Sequence, residues 1–306
     1  MRRILSAILV FSLMFLVGCS SKEDKVETPK KDKLSIVCTV FPSYDFARQI
    51  IGELGEVELL LPVGAESHSF NPTLSDIALV EGCDVFIYVG GEIDPLASEI
   101  VDNSSNKERI NLSLLEALEV EEKHNHDEHG DEVDEHVWTS ISNSITICKK
   151  ISEALCKKDK ENEAKISLTT SEYIEKLKEL KSSFETVVKN ASNDTLIFAD
   201  RFPFYWFTKE FSLNYVAALS GCSSDTEPTL TALKNVIDAV KNSGTNTVLY
   251  IEGSSGSIAD KVVDETGAKK RVFHSCHNVS IDEKENGETY ISLMQKNLEV
   301  LKEALG

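Results

Sequence analysis

The chain has 306 residues, of which 41% are apolar, so it can bury a full hydrophobic core and is not an intrinsically disordered protein. Its 32 Lys and Arg residues stand against 51 Asp and Glu residues, giving a formal charge of -19 at pH 7. This acidity excludes the basic surface of a nucleic-acid-binding protein and favours cations as ligands.

The N-terminal residues are predicted to direct export rather than to fold. Residues 1–18 combine Arg2 and Arg3 with the apolar stretch Ile4–Val17, which is the pattern of a secretory signal peptide. This stretch is shorter than the roughly 20 residues that a membrane-spanning helix needs. Residues 19–33 are polar and charged, as in a flexible tether. We expect an exported chain whose folded body lies outside the membrane.

Residues 34–158 are predicted to form a first lobe. Short apolar runs alternate there with longer amphipathic segments, which indicates a mostly parallel sheet with helices on both faces. The predicted strands are Leu34–Phe41, Val57–Leu61, Val85–Val89 and Arg109–Leu112, and the predicted helices are Tyr44–Ile51, Leu74–Glu81, Leu96–Val101 and one that begins near Ser140. Residues 121–135 form a loop rich in His and acidic residues.

The second half of the chain is predicted to be a long helix followed by a second lobe. Residues 159–190 contain no Gly or Pro and carry an apolar stripe, which predicts a rod of roughly 45 Å at 1.5 Å per residue. In residues 191–306 the predicted strands are Thr195–Ala199, Tyr215–Ala218, Thr247–Ile251 and Arg271–Phe273, with helices at Thr229–Lys241, Ile258–Glu265 and Tyr290–Ala304. The predicted fold class is α/β, with two four-stranded lobes joined by one rigid helix and a ligand cleft between them.

Histidine is scarce in this chain, and its distribution points to metal binding. Four of the seven His residues lie in the acidic loop and at its end. His124, His126 and His129 alternate there with carboxylates, which suits weak collection of divalent metal. A solvated acidic loop with incidental histidines is the simpler alternative. His136 differs, because it stands where the loop rejoins the folded lobe.

Other candidate ligands follow predicted strands. His68, Asp200 and His274 come at or soon after strand ends, and His277 follows three residues later. Ligands of open α/β sheets bind outside the carboxyl ends of the strands, so these side chains could converge on one cleft. Two or three imidazoles with a carboxylate suit Zn²⁺, and four protein ligands leave no open position for catalysis. The residues therefore predict a metal carrier rather than an enzyme.

Several motifs resemble the metal-binding lipoproteins of bacterial zinc and manganese ABC importers, which have two lobes and a rigid linking helix. The motifs, which span nearly the whole chain after the signal sequence, are TVFPSYDFARQIIGE, GAESHSFNPTLSDI, DVFIYVGGEID, DEHVW and TYISLMQKNLEVLKEAL. The segment Leu16-Val17-Gly18-Cys19 resembles the site at which lipoproteins are cleaved and lipidated, here at Cys19. The resemblance implies a monomer anchored to the outer face of the cell membrane, with an ABC permease as its partner.

The resemblance also implies a ligand set. His68 and His136 match the metal ligands of the first lobe. In the second lobe Arg201 stands at or beside the usual ligand position, and because arginine is always protonated it cannot bind a metal. Asp200 is therefore the expected third ligand, and His274 is the expected fourth.

Three further residues near this ligand set have alternative roles. His277 and Glu252 are held in reserve as ligands, although Glu252 is expected to orient a ligand rather than to bind metal itself. Cys276 could instead form a disulfide with Cys222.

A ligand set dominated by imidazole favours Zn²⁺, with Mn²⁺ as the alternative because manganese prefers more oxygen ligands. Two other functions compete with metal transport. One is a zinc-dependent hydrolase, which the absence of His-Glu-x-x-His, Gly-x-Ser-x-Gly and Gly-x-x-x-x-Gly-Lys motifs disfavours. The other is a surface adhesin with a structural metal. We expect no enzymatic activity and no nucleic-acid partner.

Overall fold

The computed structural model describes residues 33–65, 70–120, 134–221 and 227–306. The predicted signal peptide and nearly all of the tether, including Cys19, lie outside these residues. So do His68, Cys222 and the part of the acidic loop that contains His124, His126 and His129. In the described part of the chain, no helix is both long and apolar enough to cross a membrane.

The first lobe is built on a parallel four-stranded sheet. Its strands lie in the order β2-β1-β3-β4, with Ile36 of β1 opposite both Val57 and Val85. The strands are β1 (Leu34–Cys38), β2 (Gly55–Leu59), β3 (Val85–Tyr88) and β4 (Ile110–Ser113), and the helices are α1 (Phe41–Ile51), α2 (Leu74–Gly82), α3 (Pro95–Asp102), α4 (Leu114–Ala117) and α5 (Ile141–Lys158).

The second lobe repeats this topology, because its parallel strands lie in the order β6-β5-β7-β8. The strands are β5 (Thr195–Phe198), β6 (Asn214–Ala217), β7 (Thr247–Tyr250) and β8 (Lys269–Val272). The helices of this lobe come after the linking helix α6 (Glu163–Asn190) and are α7 (Tyr205–Phe211), α8 (Leu230–Ser243), α9 (Ser257–Thr266), α10 (Ile281–Glu285) and α11 (Tyr290–Leu305). In each sheet the first strand of the lobe lies between the second and the third, which creates a crevice at the carboxyl ends of the strands.

The long helix α6 (Glu163–Asn190) connects the lobes and is roughly 42 Å long at 1.5 Å per residue. It begins four residues later than predicted, because α5 ends at Lys158 and the Asp159 carboxylate accepts hydrogen bonds from the backbone and side-chain nitrogens of Asn162. Its buried stripe runs from Ile166 to Phe184 and faces α1, α5 and α11. The helix is therefore packed along its length rather than exposed as a free strut.

One continuous apolar core runs through both lobes and the linking helix. Phe46 of α1, Trp138, Phe184 of α6 and Tyr290 of α11 are fully buried members of this core. Each lobe also has one smaller apolar cluster of its own. Because protein interiors are close-packed, a wide opening of the lobes would have to break this shared core.

Polar contacts reinforce the contact between the lobes. The buried Asp45 carboxylate accepts hydrogen bonds from the Tyr290 backbone nitrogen at 2.9 Å and from Arg48 at 2.8 Å. The Tyr290 hydroxyl donates to the Trp138 carbonyl at 2.7 Å, and the Trp138 indole donates to the Ser275 carbonyl at 2.8 Å. These bonds join α1, the segment after the acidic loop and the C-terminal helix.

The predicted α/β fold class with two four-stranded lobes is confirmed, with local corrections. The first strand ends at Cys38 rather than Phe41, because Pro42 fits the first turn of a helix that starts at Phe41. The short helices α4, α7 and α10 were not predicted. Cys38, Cys83, Cys148, Cys156 and Cys276 are free thiols, so the predicted alternative of a disulfide at Cys276 is wrong.

Candidate metal centre

A cavity of about 170 Å³ lies where the two lobes meet. Its wall includes Ala65 and His136 from the first lobe and Arg201, Glu252 and His277 from the second. Glu252 and Arg201 lie two and three residues beyond the last residues of β7 and β5. The cavity therefore occupies the position at which parallel α/β sheets bind ligands.

His136 reaches this cavity from a tight turn. The 3₁₀ turn Val137–Thr139 follows it, and the His136 carbonyl accepts hydrogen bonds from the backbone nitrogen and the hydroxyl of Thr139 at 3.0 and 2.8 Å. The side chain is almost fully buried, and its Nδ1 lies 2.7 Å from Asp134 Oδ1. A carboxylate at Nδ1 stabilises the tautomer protonated there, which leaves the lone pair on Nε2 for a metal.

Asp134 is itself held by the second lobe. The Tyr205 backbone nitrogen donates to its carboxylate at 3.1 Å, and the Trp206 indole donates to its backbone carbonyl. Burial alone would raise the pKa of Asp134, but the charge and hydrogen bonds of His136 and the Tyr205 donor lower it. Asp134 is thus an anion that orients the His136 ring.

His277 meets His136 across the interface between the lobes. The centroids of the two rings are 5.1 Å apart, and the rings are nearly perpendicular. Trp138 lies 5.3 Å from the His136 ring and 5.4 Å from the His277 ring, so its indole supports both imidazoles. Cys276, which precedes His277, has a φ of 60°, a left-handed backbone conformation that is uncommon for a residue other than Gly.

Glu252 holds the loop that carries His277. Its carboxylate accepts hydrogen bonds from the backbone nitrogens of Ser275 at 2.7 Å and His277 at 3.3 Å, and from the Ser275 hydroxyl at 2.5 Å. Both carboxylate oxygens are used in these bonds. Glu252 therefore fixes the path of residues 275–277 at the cavity wall.

Comparison with known proteins identifies the family. The family model described as "Zinc-uptake complex component A periplasmic" matches residues 36–304. The chain belongs to this ZnuA family.

Individual relatives match this chain along most of its length. The chain is 30% identical to the high-affinity zinc uptake system protein ZnuA of Bacillus subtilis, with 98% of this chain and 97% of that protein covered. It is 28% identical to the zinc-binding lipoprotein AdcA of Streptococcus pneumoniae, covering 99% of this chain but only 61% of that longer protein. The crystal structure of the Zn(II)-bound ZnuA-like domain of that AdcA matches with a TM-score of 0.75 and 26% identity, covering 90% of this chain and 99% of the domain.

His274, the expected fourth ligand, is buried and is not among the residues that line the cavity. Its Nδ1 accepts a hydrogen bond from the Cys276 backbone nitrogen at 2.8 Å, and it stands between two carboxylates, each 3.4 Å away, those of Glu252 and Glu283. His274 therefore contacts the loop that carries His277.

Asp200, the expected third ligand, is not among the residues that line the cavity. The Asp200 side chain is buried. Its Oδ1 accepts a hydrogen bond from the Arg201 backbone nitrogen at 2.8 Å, and its Oδ2 accepts one from the Ile251 backbone nitrogen at 3.4 Å. These bonds join the segments that follow β5 and β7. The neighbouring Arg201 lines the cavity instead.

Among the residues that the structure describes, no group of three or more His, Cys, Asp and Glu side chains is arranged to hold a metal ion. His136 and His277 are two imidazoles of suitable chemistry, and a zinc site needs more donors. His68 lies outside the described residues, but Ala65, three residues before it, lines the cavity. The Asn278 amide donates a hydrogen bond to the Ala65 carbonyl at 2.9 Å, which holds the segment that contains Ala65 against the second lobe.

Proposed function

We propose that this protein captures Zn²⁺ outside the cell in the cleft between its lobes and delivers it to the permease of an ABC importer. The observation that carries the proposal is the meeting of His136 and His277, from opposite lobes, in one cavity. Membership of the zinc-uptake family supports it. Zinc is the cargo here and not a resident cofactor.

The proposed ligands are His68 and His136 from the first lobe and His277 from the second. His277 is preferred to His274 because it lines the cavity, whereas His274 does not line it and lies 3.4 Å from each of two carboxylates. Asp200 is proposed to stabilise the strand ends, since its oxygens accept backbone hydrogen bonds. Asp134 and Glu252 position the ligands by orienting the His136 ring and the His277 loop.

Zinc is preferred to manganese for chemical reasons. All three proposed ligands are imidazoles, and manganese favours sites with more oxygen donors. The names of the relatives in Bacillus subtilis and Streptococcus pneumoniae, which refer to zinc, agree with this choice. We expect affinity to fall below about pH 6, where imidazoles become protonated and cease to bind metal.

Two segments outside the described residues complete the proposal. Cys19 is proposed to carry a lipid anchor that holds the protein at the outer face of the membrane. His124, His126 and His129 are proposed to collect metal weakly near the cleft. Deleting residues 123–131 should remove weak binding and leave one tight site, so loss of the tight site would contradict the role given to this loop.

We propose that the bound metal is carried without catalysis. A catalytic zinc keeps an exchangeable water from which it generates a nucleophile, whereas a carrier needs only to bind and release the ion. Release is proposed to involve a modest rearrangement in the second lobe, because the shared core and helix α6 resist wide opening. Turnover of an ester, peptide or phosphate substrate by the zinc-loaded protein would contradict this view.

Competition titration with a chromophoric zinc chelator tests the proposed site. Replacing His136 or His277 by Ala should weaken zinc binding by more than about 100-fold, since the loss of even an outer partner of a ligand costs 10–100-fold. Glu265→Ala is the matched control, because Glu265 is exposed and lies outside the cavity lining. Unchanged affinity in both His variants would overturn the proposal.

A further inference from the structure

Glu135, the residue before His136, is joined to the first lobe through its side chain. The Glu135 carboxylate accepts hydrogen bonds from the backbone nitrogens of Glu92 and Ile93, each at 2.6 Å, which lie 43 and 42 residues earlier in the chain. These two residues belong to the turn that connects strand β3 to helix α3. The side chain of Glu135 therefore ties the segment that carries His136 to the sheet of the first lobe.

The turn between β3 and α3 is shaped to receive this carboxylate. Gly90 and Gly91 have φ values of 91° and 68°, a backbone conformation that glycine adopts readily. The N–H groups of Glu92 and Ile93 then point to one carboxylate, as in the backbone concavities that bind anions. A Cβ atom added to Gly91 would lie 2.6 Å from Glu135 Cδ, well inside the roughly 3.5–4.0 Å at which carbon atoms pack. Glycine at position 91 thus leaves the space that Glu135 occupies.

A second carboxylate holds the same turn without help from Glu135. Asp94 accepts hydrogen bonds from the backbone nitrogens of Val89 and Gly90 at 2.8 Å and from the Thr39 hydroxyl at 2.7 Å. These bonds fix the turn to the end of β1 and to the start of α3. Because the turn is already held in this way, it serves as a rigid support for Glu135, and we expect it to keep its shape when Glu135 is replaced.

Asp134, the residue before Glu135, is held by the opposite lobe. It accepts hydrogen bonds from the Tyr205 backbone nitrogen and the Trp206 indole, and its Oδ1 accepts one from the His136 backbone nitrogen at 2.8 Å. His136 therefore follows one residue that is anchored to the first lobe and one that is anchored to the second. Of the two anchors, that of Glu135 would stay with the first lobe if the lobes shifted.

We propose that Glu135 is a positioning residue that fixes His136 to the first lobe and thereby slows the release of zinc. Both oxygens of its carboxylate accept backbone hydrogen bonds, so Glu135 acts through His136 and not as a ligand. A shift of the second lobe would then loosen the contacts of Asp134 while the backbone of His136 stays in place. This inference rests on the proposed function, because His136 is one of the proposed zinc ligands.

The first test measures zinc release from the full chain by stopped-flow mixing with an excess of a chromophoric chelator. Glu135→Ala removes the anchor and should raise the dissociation rate constant about tenfold, the lower end of the 10–100-fold cost of losing an outer partner of a metal ligand. Glu135→Gln keeps the shape of the side chain and one acceptor oxygen, so it should raise the rate constant by a smaller factor.

Gly91→Ala breaks the same contact from the side of the turn. Its Cβ would displace the Glu135 carboxylate, so release should accelerate to a similar extent. The double variant Gly91→Ala/Glu135→Ala should release zinc no faster than Glu135→Ala, because two changes that remove one contact are not additive. Gly244→Ala is the control for backbone strain, since Gly244 has a φ of 76° and an added Cβ there would meet no atom within 4 Å. It should leave zinc release unchanged.

Glu81→Ala separates positioning from a general loss of stability. The Glu81 carboxylate also accepts hydrogen bonds from two backbone nitrogens of a turn in the first lobe, those of Ser105 at 2.9 Å and Asn106 at 3.0 Å, but Glu81 lies outside the cavity lining. Urea denaturation should show a lower free energy of unfolding for both Glu81→Ala and Glu135→Ala. Zinc release and the nitrogen-15 chemical shifts of the His136 ring in the metal-free protein should change only in Glu135→Ala.

The outcomes distinguish this inference from the function on which it rests. Unchanged zinc release in Glu135→Ala, or an equal acceleration in Glu81→Ala, would overturn the inference and leave the proposed function standing. A double variant that releases zinc about tenfold faster than Glu135→Ala would show that Gly91 and Glu135 act separately, which would also overturn it. Absence of tight zinc binding in the native chain would overturn the proposed function and the inference together.

Discussion

The contact between the lobes depends on Glu210 of α7, and its replacement gives the sharpest stability prediction. The Glu210 carboxylate is nearly buried, with 8% of the side chain exposed, and accepts hydrogen bonds from the backbone nitrogens of Ile141 at 2.7 Å and Ser142 at 3.1 Å. These nitrogens open helix α5, where backbone donors have no partner within the helix. Glu210 also pairs with Lys181 of α6 at 3.2 Å.

The expected magnitude follows from these contacts. Hydrogen bonds to a charged group contribute about 1.5–3 kcal/mol each, and a carboxylate at a helix N-terminus adds about 0.3–1 kcal/mol. Because such contributions are not additive and water can reach part of the vacated site, we expect Glu210→Ala to lower the free energy of unfolding by about 3 kcal/mol. Glu210→Gln keeps the shape and one acceptor, so it should cost about half as much.

Urea denaturation of the metal-free protein, followed by far-UV circular dichroism, measures both changes. Glu185→Ala is the matched control, because Glu185 also lies near Lys181, at 3.7 Å, but is 57% exposed. Exposed ion pairs contribute roughly 0–1 kcal/mol, so this control should change little. If Glu210→Ala destabilised the protein by no more than Glu185→Ala, the stabilising role given to the buried Glu210 carboxylate would be refuted.

Three further predictions concern single groups. His274→Ala should lower the melting temperature of the metal-free protein, whereas His277→Ala should leave it nearly unchanged and weaken zinc binding; the reverse pattern would exchange their roles. Burial raises the pKa of Asp94 to about 7. The contribution of Asp94 to the free energy of unfolding should therefore fall as the pH rises from about 4 to 7. If NMR showed that the Asp94 carboxyl titrates near pH 4, this prediction would be contradicted. Burial also raises the pKa values of Cys38 and Cys148, so both thiols should react with Ellman's reagent only after unfolding.

The strands and the long helices could be predicted from the sequence, whereas the short helices could not. Eight strands and eight of the helices follow from hydrophobic periodicity, as α6 illustrates with its buried stripe from Ile166 to Phe184. Helices α4, α7 and α10 have four, seven and five residues, too few to show a helical period. Ser280 and Glu283, which form a capping box, were the one local signal for α10.

The cavity lies beyond the strand ends, as the sequence predicted, whereas two of the predicted ligands, Asp200 and His274, do not line it. Counting from strand ends favoured His274, which comes two residues after β8. The left-handed backbone at Cys276 redirects the chain so that His277 reaches the cavity, and a positive φ at a Cys has no signature in the sequence. Asp134 and Glu252 act through hydrogen bonds formed only after folding, although the acidic residue two positions before His136 was visible.

The central claim, that imidazoles from both lobes share one zinc ion, is tested most directly by X-ray absorption spectroscopy at the zinc edge. Spectra of the protein loaded with one equivalent of zinc are compared with those of His136→Ala and His277→Ala loaded in the same way. The native spectrum should show about three imidazole ligands at roughly 2.0–2.1 Å, and each variant should show one fewer. A native spectrum that is unchanged in His277→Ala would place the ion elsewhere and contradict the account.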